Sequence, residues 1–126
     1  MSLMLRTIFF FGIFCLEAGA APLFTSLIEV LSVPEKLNSK TVTLGGFLVL
    51  EHEGNALYFH NEDYKHGLYA NSLWCAGCDL IKHKEFNKRY VYIEGVIDSK
   101  NYGHMGLWPA SIKEIKRIWE PSKPRP

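Results

Sequence analysis

Two adjacent glycines in the middle of a strongly alternating stretch constrain this chain more than any other feature. Residues 40–51 (KTVTLGGFLVLE) follow the period-two pattern of a β-strand. Val42, Leu44, Leu48 and Leu50 share one side; Thr41, Thr43, Phe47 and Val49 share the other. Glycine weakens a strand interior, so Gly45-Gly46 predicts a sharp bend or bulge where one strand serves two sheets. Tyr90 to Asp98 (YVYIEGVID) repeats the device, with Gly95 at its centre and Val91, Ile93 and Ile97 on its inner face.

The segments between these strands supply hairpin partners. Glu53-Gly54-Asn55 is a turn signal, and Ala56 to His60 is the strand that returns from it. Asn61 to Gly67 is polar and loop-like. Leu68 to Trp74 suits a third strand with Tyr69 and Leu73 on one side. Asp79 is an N-cap candidate for a short helix through Phe86, with Leu80 and Ile81 turned inward. Upstream, Leu23 to Ser32 reads as a short helix with Leu27, Ile28 and Leu31 on one face. Ser26 and Glu29 could form its capping box, and Pro34 ends it. Asn101 to Gly106 is a turn-rich loop. Ile112, Ile115 and Ile118 recur every third residue, which suits either a helix or a bulged strand. The strand is preferred because it supplies the partner that closes the sheet. Glu120 to Pro126 (EPSKPRP) is expected to be a disordered proline-rich tail.

Two matched segments, Thr43-Leu44-Gly45-Gly46-Phe47 and Val91-Tyr92-Ile93-Glu94-Gly95-Val96, flank Leu57-Tyr58-Phe59 in this order of elements. In that layout the chain resembles the small exported bacterial OB-fold proteins. The expected fold is mainly β: a five-stranded OB-fold-like Greek-key barrel over residues 21–119. It carries a short N-terminal helix and a helix between strands 3 and 4. The resemblance implies a ligand face on the second and third strands, flanked by the loops at residues 52–55 and 99–108.

Residues 1–20 read as a cleaved secretion signal. Arg6 provides the positive charge, Ile8 to Leu16 the apolar run, and Ala18-Gly19-Ala20 the small-residue cleavage pattern ahead of Ala21. The run is too short to span a bilayer, which needs about 20 apolar residues. The expectation is a periplasmic or secreted protein with no stable membrane insertion after cleavage. Removal of the signal leaves 106 residues, enough for one domain, with the formal charge still +1. Such a charge argues against nucleic acid as a partner.

Cleavage also leaves Cys75 and Cys78 as the only cysteines. Trp74-Cys75-Ala76-Gly77-Cys78 looks like the redox centre of thioredoxin-like proteins. That fold needs βαβ crossovers, which this chain lacks, and Asp79 opposes thiolate formation. A structural disulfide is therefore expected, with thiol–disulfide chemistry as an alternative. For a metal, the pair lacks a second half: His60, His66 and His83 are scattered, so neither metal nor cofactor is expected. Glu51-His52-Glu53 and Glu62-Asp63 lie at turns, and no nucleophile can be placed beside a base. Tyr58, Tyr69, Tyr90, Tyr92 and Trp108 could stack bases or sugars, and Lys82, Lys84, Lys88 and Arg89 form a basic cluster. That cluster falls away from the usual ligand face. The preferred expectation is a non-enzymatic binding protein of inhibitor or immunity type that engages a protein partner. Its candidate residues are Tyr58, His60, Tyr69, Tyr102, His104, Met105 and Trp108. An oligosaccharide- or nucleic-acid-binding OB-fold is a further alternative.

Overall fold

The alternation in residues 40–51 becomes a nine-residue strand, and its glycine pair lets it pair with different neighbours along its length. The computed structural model describes Gly19 and residues 21–122. The rest of the expected signal, and the last four residues of the expected disordered tail, lie outside the described residues. In chain order the elements are β1 (Leu23–Phe24), α1 (Leu27–Ser32), β2 (Thr41–Val49), β3 (Ala56–Tyr58) and α2 (Asn61–Lys65). Next come β4 (Ser72–Cys75), β5 (Arg89–Asp98) and β6 (Ser111–Trp119). Short 3-10 turns cover Pro34–Leu37, Tyr69–Asn71, Lys84–Phe86 and His104–Gly106.

The sheet runs β2-β3-β4-β6-β5 and returns from β5 to β2, closing a five-stranded barrel. β4 and β6 pair in parallel and the other barrel pairs are antiparallel. β1 is bonded outside the barrel, parallel to β2. This is the mainly β, OB-fold-like barrel expected from the order of elements.

β2 makes the closure possible. Thr41 to Leu48 pair with β5, Val42 and Thr43 also with β1, and Phe47 to Val49 also with β3. A side chain at Gly46 would sit 2.6 Å from the Tyr58 carbonyl oxygen and 2.8 Å from Leu57 Cγ. Only glycine lets β3 come so close at the bend. The two sides of β2 feed two separate apolar clusters. Val42, Leu44, Leu48 and Leu50 join Leu57, Leu73, Val91, Ile93, Ile97 and Ile112 in the barrel interior. Phe47 and Val49 join Ala56, Tyr58 and Trp108 in a second cluster. Because side chains alternate along a strand, the second cluster lies on the outer face of β2 and β3.

β6 is a strand, and it is bulged. Val96 faces Lys113 while Glu94 faces Arg117, so β6 spends extra residues opposite the Gly95 bend. Glu114 takes a positive φ of 49° there. The irregularity turns Ile112, Ile115 and Ile118 all toward the inner cluster, although they are three apart.

Four expectations need correction. The N-terminal helix starts at Leu27, because Ser26 Oγ accepts from the Glu29 N–H at 3.1 Å and caps it there. Leu23 and Phe24 lie upstream of the cap, extended along β2. Ile28 is 60 % exposed; Val30 and Leu27 are the buried residues of α1. Between β4 and β5 there is no α-helix. Asp79 does accept from the Ile81 and Lys82 N–H groups, at 2.8 and 2.6 Å. The turn it caps has no apolar stripe to bury, since Leu80 and Ile81 face solvent. Only the 3-10 turn at Lys84–Phe86 follows. The polar segment after β3 is not a loop but the one-turn helix α2, capped by His60. Finally, β4 begins only at Ser72, so Tyr69 sits in a 3-10 turn rather than on the same strand as Leu73.

Gly46→Ala is expected to lower stability by about 2–3 kcal/mol, because the new methyl must push β3 backbone away. Gly45→Ala should cost less, since its nearest contact is the Tyr92 ring at 3.1 Å, which can move. Urea unfolding midpoints of the two variants check the order.

Candidate functional site

On a barrel of this kind the outer face of β3 and β4 is the expected ligand platform. Here the chain covers that face itself. Tyr58 is 1 % exposed and Trp108 3 % exposed. Trp74 on β4 packs against Trp108 at a tilt, with ring centroids 4.7 Å apart, and Tyr69 meets Trp108 edge-on at 5.1 Å. From the other side α2 lays Tyr64 across Tyr58 at 5.4 Å and Phe47 at 6.5 Å. Burial, followed by Tyr69, Glu51 and Tyr64, pushes the Tyr58 phenol far above its ordinary pKa. Burial also raises that of Tyr64, whose hydroxyl donates to Glu51 at 3.1 Å. Tyr58 and Trp108, expected as binding residues, are therefore packing residues. The reason is tertiary: α2 and the β5–β6 loop fold back over the strand positions that alternation turns outward.

Trp108 is the point where the β5–β6 loop is fastened. Its N–H donates to the Tyr102 carbonyl at 3.0 Å, closing the loop on itself. Gly103 has a positive φ of 69°, and a side chain there would meet both Trp74 and Trp108 at under 3 Å. Glycine is thus required for the loop to pass over the two indoles. Trp108 Nε1 is buried without an acceptor among the described residues. That costs about 1–3 kcal/mol, offset by the aromatic packing around it.

With Trp108 turned in, its neighbours turn out. Met105 is 81 % exposed at a φ of 56°, and Tyr102 and Leu107 are also exposed. Three large apolar side chains thus project from one short loop. His104 is bound to the neighbouring β2–β3 turn: its Nε2 lies 3.1 Å from Glu53, which also meets His52 at 3.5 Å. The contact joins the two loops that border the ligand face of this fold. Tyr69, 38 % exposed, borders the same Trp108 ring.

The remaining candidates are dispersed. His60 Nδ1 accepts from the Glu62 N–H as the cap of α2, and its ring meets Tyr90 at 5.9 Å. His66 lies beside Glu62 at 3.7 Å, and His83 Nδ1 accepts from the Asp79 N–H at 3.1 Å. Among the described residues no three His, Cys, Asp or Glu side chains gather as metal ligands would. Lys82, Lys84 and Lys88 are exposed around the turn before β5, and Arg89 is paired with Glu120 at 2.7 Å. Cys75 and Cys78 are at disulfide-bonding distance, with Cα atoms 5.3 Å apart. Cys75 is 1 % exposed and belongs to the inner cluster. Cys75 ends β4 and no α-helix begins at Cys75 or Cys78, whereas the thioredoxin-like motif places its first cysteine at a helix N-terminus.

Sequence reasoning missed Leu107 and read Glu53 only as a turn residue. Leu107 carries no signal apart from its neighbour Trp108. Glu53 belongs to a turn, and only the closure of the barrel carries it to His104. No protein-family model matches the chain, and comparison with curated proteins gives no match.

Trp108→Ala is expected to destabilise the fold by about 3–5 kcal/mol, the usual cost of removing a buried indole. Met105→Ala should stay within about 0.5 kcal/mol of the parent. Thermal or urea unfolding of the pair distinguishes the fastening residue from the displayed one.

Proposed function

We propose that this chain is an exported binding protein that engages another protein through the β5–β6 loop. The observation that carries the reading is the opposed orientation of Trp108 and its neighbours: one indole is buried, while Tyr102, Met105 and Leu107 are exposed together. A protein interface has a core of aromatic and Met side chains held in a defined geometry. The Trp108 fastening and the His104–Glu53 contact supply that geometry before a partner arrives, which lowers the entropy cost of binding. An inhibitor or immunity protein would act through such a surface without a catalytic group.

The covered face of β3 and β4 supports the same choice. An oligosaccharide or a single nucleic-acid strand would need open aromatic platforms there. Tyr58 and Trp108 are instead packed beneath Tyr64 and Tyr69. Export is supported by the charge, apolar run and small-residue pattern of residues 1–20. A cysteine pair at bonding distance fits an oxidising compartment.

The replacement of Tyr102, Met105 and Leu107 together by Ala is expected to abolish recovery of the partner from an envelope extract of the source cells, with an unchanged unfolding midpoint. Undiminished recovery would sink the choice of loop. Amino-terminal sequencing of protein from the envelope or medium should begin at Ala21; a chain that keeps residues 1–20 removes the exported reading.

A further inference from the structure

The turn that carries the two cysteines is tied to the β5–β6 loop by two routes. Asn55, half-buried just before β3, makes the first. Its side-chain amide donates to the Cys78 carbonyl at 3.1 Å, and its backbone carbonyl accepts from the Cys75 N–H at 2.8 Å. Its Oδ1 accepts from the Glu51 N–H at 3.0 Å, which closes the β2–β3 turn. That turn in turn holds both elements that cover β3. Glu51 accepts from the Tyr64 hydroxyl of α2 at 3.1 Å, and Glu53 meets His104 of the β5–β6 loop at 3.1 Å. The second route is Trp74, the residue before Cys75. Its N–H donates to the Ala110 carbonyl at 3.0 Å, its ring packs on Trp108, and Gly103 lies directly over its indole.

The two sulfurs differ in access and in freedom to move. Cys75 is enclosed in the inner cluster, whereas Cys78 is half-buried at its margin. The turn between them has no slack against β6. The Ala76 N–H donates to the Ile112 carbonyl at 2.9 Å, and a side chain at Gly77 would sit 2.9 Å from Ile115 Cγ1. Two thiols must keep a van der Waals separation that bonded sulfurs do not. Cys75 is fixed by its packing, so opening the bond moves Cys78 outward, and the Cys78 carbonyl is the atom that Asn55 holds.

We propose, on the reading of the β5–β6 loop as the partner surface, that the Cys75–Cys78 pair is a reductive modification site that controls the display of that surface. The reagent is a dithiol reductant. One of its thiolates attacks Cys78 Sγ, the accessible sulfur; the Cys75–Cys78 bond breaks, and Cys75 leaves as a thiolate and takes up a proton. The second thiolate of the reductant then attacks the reductant's own sulfur in the mixed disulfide. Cys78 is released as a thiolate and takes up the second proton. The protein disulfide has gained two electrons and two protons, and the reductant's two thiols have become a disulfide. The pair is a substrate of this exchange and not its catalyst, so it needs no lowered thiol pKa. Once Cys78 moves away from Asn55, the β2–β3 turn loosens and Glu53 no longer holds His104. The oxidised chain thus presents Tyr102, Met105 and Leu107 in a fixed geometry, and the reduced chain does not.

Amide hydrogen exchange of the isolated chain, with and without dithiothreitol, tests this without a partner. Reduction is expected to raise exchange by about tenfold or more at Glu51, Cys75 and Trp108, and to leave the β2–β5 ladder amides unchanged. Cys78→Ser should reproduce that pattern without reductant. Asn55→Asp keeps the acceptor for Glu51 but loses the donor to Cys78, and it should raise Trp108 exchange in the oxidised chain. Unchanged Trp108 exchange after dithiothreitol treatment would overturn the proposal. A rise spread over the β2–β5 ladder would also overturn it, because the disulfide would then be a staple of the whole barrel. A rise on reduction that Asn55→Asp fails to reproduce overturns the route through Asn55. The partner-surface reading fails separately, when the Tyr102, Met105 and Leu107 triple replacement leaves partner recovery undiminished in the oxidised protein.

Discussion

The approach of β3 to the middle of β2 is the contact on which the barrel depends. At Gly46 the Tyr58 carbonyl oxygen lies where a side chain would begin. Because that space is free, β2 can leave β1 behind, turn, and take β3 as a new neighbour while keeping β5 along nearly its whole length. The other strands follow: β3 pairs with β4, β4 with β6, and β6 returns to β5 across its own bulge. A β2 that stayed straight would hold β5 but could not pass the sheet on to β3 at the same time. Closure also removes most free strand edges, which limits edge-to-edge association.

The bend has a second consequence. It separates two apolar clusters that alternate along the same strand, one inside the barrel and one on its outer face. An outer cluster on β2 and β3 must be covered, and the chain does this with Tyr64 of α2 and Trp108 of the β5–β6 loop. The face that a barrel of this type usually offers to ligands becomes a small core of its own. What the cover leaves outside is Tyr102, Met105 and Leu107 on the β5–β6 loop. Packing and display are therefore two results of one constraint.

Much of the framework was readable in the residues. Period-two alternation located β2 and β5, the glycines located their bends, and the three-residue isoleucine spacing was compatible with the bulged β6. Local signals alone misled where they had no tertiary partner. Asp79 caps a turn as its residue type suggests, yet no helix grows from it because Leu80 and Ile81 have nothing to pack against. Conversely, the polar segment after β3 forms α2, since His60 caps it and Tyr64 gains burial against Phe47 and Tyr58. The candidate site divided in the same way. Tyr102 and Met105 are exposed, His104 is half-buried against the β2–β3 turn, and Tyr58 and Trp108 are buried; Glu53 joins His104 only because the β2–β3 turn and the β5–β6 loop meet.

By itself the sequence determined where β2 and β5 run, where they bend and which of their residues alternate, because these follow from side-chain period and from glycine's missing Cβ. It also determined the cysteine spacing that brings Cys75 and Cys78 within bonding distance across one turn. Which apolar face is core and which is surface was decided only by tertiary structure. Both faces of β2 carry large apolar residues, and period alone cannot say which of them another part of the chain will cover. Trp108 and Met105, three residues apart on one loop, have opposite fates for that reason: one fits the space between Trp74 and Tyr69, and the other has no such space to enter.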